Sequence, residues 1–259
     1  MSLKVFEGLK FKKRNTVIHK LDARTKGVYV ISIMIIAVTI SEIIPLIILF
    51  LLCLLTAFIA KVLNEWIRTM KGVLFFALLI FFLNFVTISE NRVNQSFIMF
   101  LRFIVLSAGF SIFFLTTSPD DFSQALLKIG IPYEYTLMLT IALRFIPTLA
   151  RDVQTIIDAQ RSRGLELERG NIMNRIRNYI PILVPLIIYE IRRSIMIAEA
   201  LESRAFGAEK KRTNLYEIKL SKIDYLVIIM AIALTTLLIY LNFLHLLPSI
   251  FYLRLPEFY

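Results

Sequence analysis

Apolar residues dominate four stretches of the chain. Residues 27–60 carry a single charge, Glu42, with Pro45 close behind it. Two further stretches, 72–89 and 93–116, flank the polar turn Ser89-Glu90-Asn91-Arg92, and Tyr225 to Leu247 forms the last. At roughly 1.5 Å per residue the first stretch is too long for one crossing of a bilayer. A charge beside a proline near its middle predicts a hairpin of two helices turning at Ser41 to Pro45. About five transmembrane helices follow, the fourth carrying Arg102, a residue that needs a partner or a route to the interface.

Residues 117–222 are patterned differently. Ser118-Pro119-Asp120-Asp121 predicts a helix start, with proline in the first turn and acids at the positive end of the dipole, and Gly130-Ile131-Pro132 predicts its end. A second helix, from about Tyr133 to Arg163, spaces Phe145, Leu149, Val153 and Ile156 by threes and fours, with Arg144, Arg151 and Asp158 on another face. A third runs from about Asn174 to Arg204, with Pro181 and Pro185 expected to bend its first half. Both are amphipathic and basic, suited to a membrane surface or a partner rather than to a crossing. The fold class is all-α, a polytopic membrane protein. It divides into an N-terminal transmembrane domain (1–117), a coupling domain of long amphipathic helices (118–222) and a last span with a short outer tail (223–259).

Composition agrees with lipid as the solvent: 58% of the 259 residues are hydrophobic and 19% charged, against about 45–50% and about 25% in soluble domains. The net charge of +11 reads as the Lys and Arg excess of cytoplasmic loops, not as a nucleic-acid surface. Residues 1–26 carry eight Lys and Arg, residues 61–71 three and residues 117–222 sixteen of the thirty, while the alternate turns carry almost none. This places the N-terminus and the 118–222 domain on the cytoplasmic side of the plasma membrane. The first apolar segment is expected to stay as an anchor. Cys53 stands alone and His19 and His245 are far apart in sequence, so neither a disulfide framework nor a metal site is expected.

The two amphipathic helices end alike. Asp158-Ala159-Gln160-Arg161-Ser162-Arg163-Gly164 is followed 41 residues later by Glu199-Ala200-Leu201-Glu202-Ser203-Arg204-Ala205. Each has an acid, an alanine, then Ser-Arg and a small residue. A small residue after the arginine lets a helix stop or another backbone approach. The guanidinium can fork onto a carboxylate of another protein.

These tips, together with His19-Lys20-Leu21-Asp22-Ala23-Arg24-Thr25-Lys26, Thr117-Ser118-Pro119-Asp120-Asp121-Phe122 and Leu143-Arg144-Phe145-Ile146-Pro147, resemble the T component of energy-coupling factor transporters, the EcfT/CbiQ family that includes the membrane subunit of cobalt importers. The chain departs from the family pattern at Ala23, where proline is usual, and at Ala205, where glycine is usual. The resemblance implies an energy-coupling subunit of an ATP-driven importer of vitamins or transition metals. Arg163 and Arg204 would each pair with acids on one of two cytoplasmic ABC-type ATPases, flanked by Ser162 and Gly164 and by Ser203 and Ala205, with Ala159 and Ala200 completing the motif. A separate S component in the membrane would bind the substrate. No cofactor is expected on this chain; ATP and Mg belong to the partner ATPases. In keeping with that division, none of the eight glycines is followed by lysine, so no Gly-Lys-Ser/Thr phosphate loop is present. The alternatives are a membrane enzyme holding a metal-bound phosphate on Asp120 and Asp121, and a self-sufficient carrier, which would call for polar sites in mid-membrane or repeated spans.

Overall fold

The computed structural model describes residues 16–88, 91–166, 171–208 and 220–244, and every regular element among them is helical. A single turn, α1 (Val17–Lys20), precedes α2 (Ala23–Thr39), α3 (Ile43–Ile59), α4 (Leu63–Thr87), α5 (Arg92–Thr116) and α6 (Pro119–Ile129). Then come α7 (Tyr133–Ser162), α8 (Ile172–Asn178), α9 (Ile180–Glu202) and α10 (Lys222–Phe243). The chain forms two compact units. One holds the described residues up to Thr136 and those from residue 220 onward; the other runs from Leu137 to Ala208.

In the first unit, residues 27–60 fold as the expected hairpin, with Ile40, Ser41 and Glu42 between α2 and α3. Buried positions recur every three or four residues: Ile33, Ile36 and Ala37 on α2, with Ile40 just past its end, meet Leu46, Leu49 and Cys53 on α3 and Val105, Ala108 and Ile112 on α5. Small residues bring the backbones close. A methyl placed on Gly109 of α5 would lie 3.7 Å from Val30 and 3.8 Å from Ile33. Three helices, α4, α5 and α10, are long and apolar enough to cross a membrane, and α3 is apolar but shorter. The outward faces of α4 and α10 are exposed Leu, Ile and Phe, as lipid contact requires.

Polar groups fasten the helix ends of this unit. Asp22 caps α2 by accepting from the Arg24 amide at 2.8 Å, and pairs with the Arg24 guanidinium at 2.9 Å. Ala23 therefore holds the first helical position, where the amide has no helical partner, so alanine replaces the family's proline there at little cost. The Asp22 amide in turn donates to the Asp224 carboxylate at 3.0 Å, and Asp224 forms a capping box with Ser221 at the start of α10. Lys26, buried, donates to the Thr116 carbonyl at the end of α5 at 2.8 Å.

Arg102, whose partner the sequence does not reveal, caps the far end of α2. Its Nε donates to the Ala37 carbonyl at 2.9 Å, and Nη2 to the Ile40 carbonyl at 3.2 Å and the Ser41 hydroxyl at 3.1 Å. A helix leaves its last carbonyls unpaired, and the guanidinium answers both their hydrogen-bonding need and the negative end of the dipole. The turn of the α2–α3 hairpin thus sits at the depth of Arg102, and α5 continues ten residues, about 15 Å, beyond it.

Four boundaries differ from the sequence reading. α4 starts at Leu63 rather than 72, because a helix needs no apolar residues in the turns that precede the hydrocarbon. α6 falls in the first unit, packing on α2, so the units part after Thr136 rather than at 118. The expected helix from Asn174 to Arg204 is two helices broken at Tyr179. Pro181 has no N–H for the Arg177 carbonyl, so the helix restarts with Pro181 in its first turn. α10 spans Lys222–Phe243, and residues 245–247 of the expected last span lie outside the described residues.

Candidate functional site: two matched helix tips

α7 and α9 end in the same hydrogen-bonded form. At the first tip the Leu165 amide donates to the Gln160 carbonyl at 3.0 Å and the Gly164 amide to the Arg161 carbonyl at 2.9 Å. At the second, Phe206 donates to Leu201 at 3.0 Å and Ala205 to Glu202 at 2.9 Å. These are the paired bonds of a Schellman cap, which satisfies the carbonyls a helix leaves open at its end. The cap requires a left-handed residue, and Gly164 has φ +88° while Ala205 has φ +56°. The 41-residue repeat in the sequence is therefore repeated in the backbone hydrogen bonds of the two caps.

The left-handed geometry explains the small residue after each arginine. Glycine adopts it freely; alanine does so at a cost of about 1–2 kcal/mol. Among the described residues, no atom beyond its chain neighbours lies within 4 Å of a methyl built on Gly164, so backbone conformation and not crowding by them favours glycine. Ser162 and Ser203 turn their hydroxyls back onto the helix, to the Asp158 and Ala200 carbonyls, both at 3.0 Å. Ala159 and Ala200 are exposed and leave the approach to each tip unobstructed.

Arg163 and Arg204 come one residue before the left-handed turn. Both are exposed, and neither guanidinium has a partner among the described residues. Each sits at the negative end of a helix dipole, which stabilises its charge. Among the described residues no group of three or more His, Cys, Asp and Glu converges as a metal site. Asp120 and Asp121, the basis of the enzyme alternative, lie in the first turn of α6, where Ser118 caps the Asp121 amide at 3.1 Å.

α7 and α9 run antiparallel, because Asp152 meets Arg193 at 2.8 Å while Gln160, further along α7, reaches back to the Pro181 carbonyl at 3.1 Å. The second contact has a covalent cause. Pro185 lacks the N–H that would have bonded Pro181, so that carbonyl is free for the Gln160 amide. Arg193 also donates to Glu190 at 2.9 Å and to the Tyr189 hydroxyl at 3.1 Å, and lies over the Tyr189 ring at 4.7 Å. The hydrogen bond it donates to the Asp152 carboxylate is the main reason its pKa stands above the ordinary arginine value.

The sequence reading brought the tip residues to light but missed Asp152, Arg193, Gln160 and Asp224. Asp224 alone had a local signature, the Ser-x-x-Asp capping box before an apolar run. The others act across helices, where spacing along one chain segment gives no signal.

A family model described as cobalt transport protein matches residues 14–215. A protein of Acidaminococcus fermentans named energy-coupling factor transporter transmembrane protein EcfT is 34% identical over 250 residues, 88% of this chain and 93% of that one. A protein of Thermosediminibacter oceani with the same name is 34% identical over 232 residues, 81% and 88% of the two chains. Another of that name, from Exiguobacterium sibiricum, is 39% identical over 163 residues, 60% and 62%.

Proposed function

The chain belongs to the CbiQ family of cobalt transport proteins, and on that premise we propose that it is the energy-coupling transmembrane subunit of an ATP-driven micronutrient importer, with Arg163 and Arg204 as its two docking points for cytoplasmic ATPases. Vitamins and transition metals are the solute classes of such a transporter, and a separate membrane protein binds them. The observation that carries this reading is the pair of tips with the same backbone cap, 41 residues apart, each presenting an exposed arginine without a partner among the described residues. A single tip of this kind is an ordinary helix end. Two on an antiparallel pair form a two-point contact, fit for two copies or two kinds of one partner.

The chemistry sets the partner's surface. A guanidinium flanked by a helix-terminal carbonyl cluster takes a carboxylate in fork geometry, so each ATPase would offer an acidic groove. ATP and Mg are held by those partners, closing of the ATPase pair carries the tips with it, and α7 and α9 pass the motion to the substrate-binding protein on their exposed apolar faces. The Lys and Arg distribution supports a cytoplasmic N-terminus and coupling unit. No observation favours the carrier or enzyme alternatives.

Co-purification of the tagged chain with candidate ATPases tests the proposal. Removing one partner of a buried arginine–carboxylate contact costs about 2–5 kcal/mol, roughly a 30-fold or greater loss of affinity. Arg163→Ala and Arg204→Ala should each lower ATPase retention, and the double variant should abolish it. Unchanged retention in the double variant sinks the docking assignment.

A further inference from the structure

We propose that Asp152 and Arg193 form a latch at the crossing of α7 and α9 that fixes the position of each arginine tip relative to the other. The inference rests on the docking role of the tips and adds two positioning residues that contact no partner themselves.

Three observations converge on this pair. First, Asp152 and Arg193 are themselves 41 residues apart, so they occupy the same place in the repeat. When two copies of a repeat cross antiparallel, equivalent positions meet at one point only. An unbroken repeat would set like charges against each other there. The preceding residues, Arg151 and Arg192, keep the repeat; at the crossing it breaks into an acid and a base, joined at 2.8 Å. Second, Arg193 is held from several sides, by Glu190 at 2.9 Å, by the Tyr189 hydroxyl at 3.1 Å, and by the faces of the Tyr189 and Phe145 rings at 4.7 and 5.9 Å. Its rotamer is thus fixed before Asp152 is reached, and Phe145, like Asp152, comes from α7. Third, each helix carries an internal proline before the latch, Pro147 on α7 and Pro185 on α9, and neither has a proline after it. The segments from latch to tip thus lack the commonest cause of a kink and serve as the arms of the pair.

These arms are equal in length. From Asp152 to Arg163 and from Arg193 to Arg204 the chain advances by the same eleven residues, about 16 Å of helix each, which puts the tips about 33 Å apart on opposite sides of the latch. A 10° rotation at the crossing would therefore move each tip by about 3 Å, against a tolerance of about 0.5 Å for a preorganised site. The first arm has a second brace, from Gln160 to Pro181.

The test labels the full chain in lipid nanodiscs with spin labels at Arg161→Cys and Glu202→Cys, equivalent exposed positions beside the tips, and reads the distribution of distances between them by pulsed electron paramagnetic resonance. Asp152→Ala and Arg193→Met should each broaden the distribution by about twofold, and the double variant should broaden it no further, since both singles remove the same tie. An unchanged width in the singles, or broadening that accumulates in the double, overturns the latch. The same variants without labels, co-purified with the ATPases, should retain them within about threefold of wild type, because the docking arginines are intact and only their spacing is loosened. Complete loss of retention would place the pair in folding or docking and also overturn the proposal. Arg163→Ala and Arg204→Ala, run in parallel, separate the two ideas: they should lower retention and leave the distance distribution unchanged.

Discussion

In the membrane bundle, Lys26, Arg102 and Asp224 bind backbone groups of other helices, while at the tips Arg163 and Arg204 stand exposed with no partner among the described residues. The same residue types thus do opposite work in the two units. In the bundle a charge closes an account inside the chain: Arg102 satisfies carbonyls at the end of α2, and Asp224 accepts the amide that begins it. Leaving such groups unpaired where they are buried between helices would cost about 1–3 kcal/mol each. In the second unit the charge is left open, and the apolar residues of α9 beside it, such as Ile187, Ile191 and Ile195, are exposed as well. The bundle is complete as a folded object. The helix pair leaves both charge and apolar surface open among the described residues.

The comparison is broken most sharply by substitutions in the bundle. Asp224→Ala removes the acceptor of the Asp22 amide and the capping box with Ser221 together, with an expected loss on the order of 3 kcal/mol. Asp224→Asn keeps one acceptor oxygen and should lose about half as much. Thermal unfolding of the detergent-solubilised chain reads the difference. An Asp224→Ala protein as stable as wild type would show that the first and last spans are held by packing alone.

Arg102→Leu comes next, with an expected cost of about 1–2 kcal/mol in the same assay, because freed carbonyls are partly offset by removal of a charge from mid-helix. Arg102→Lys should lie between wild type and Arg102→Leu, since one ammonium replaces a fork that reaches two carbonyls and a hydroxyl. Equal stability of the Leu and Lys variants would mean that the charge, and not the fork, carries the contact. In contrast, Arg163→Ala and Arg204→Ala should leave unfolding unchanged within about 0.5 kcal/mol, as exposed substitutions do.

Much of both units was legible along the chain, for reasons that particular residues make plain. The hairpin near Ser41 followed from one charge and one proline in an apolar run, and the ends of α6 followed from Ser118, Pro119 and Gly130, because caps are local and written in adjacent residues. The tips were legible because the same local device occurs twice. The break at Tyr179 is not legible in the same way: the spacing of two prolines predicts a bent but continuous helix, whereas Pro181 interrupts it and Pro185 alone lies within it. Arg102, Asp152 and Gln160 show the limit more clearly. Each is paired with a group 21 to 65 residues away, and which carbonyl is free depends on where another helix ends or where a proline has removed a donor.

The smallest effect separates two roles that glycine has at the first tip. Gly164→Ala forces alanine into the left-handed region at a cost of about 1 kcal/mol, and Ala205→Gly should recover a similar amount at the second tip. Both changes are confined to one cap, so global unfolding should hardly move. Hydrogen exchange of the Leu165 and Phe206 amides, the donors that close each cap, should instead speed up about fivefold in Gly164→Ala and slow by a similar factor in Ala205→Gly, as about 1 kcal/mol requires. Retention of ATPases by Gly164→Ala then tells whether conformation is the whole reason for glycine. A loss of about fivefold or less matches the cost of the cap, because nothing among the described residues crowds the added methyl. A much larger loss would place the partner's backbone against Gly164. The methyl of Ala205 would then mark the second tip as the one that meets a roomier groove, and the two ATPases as unlike at their docking surfaces.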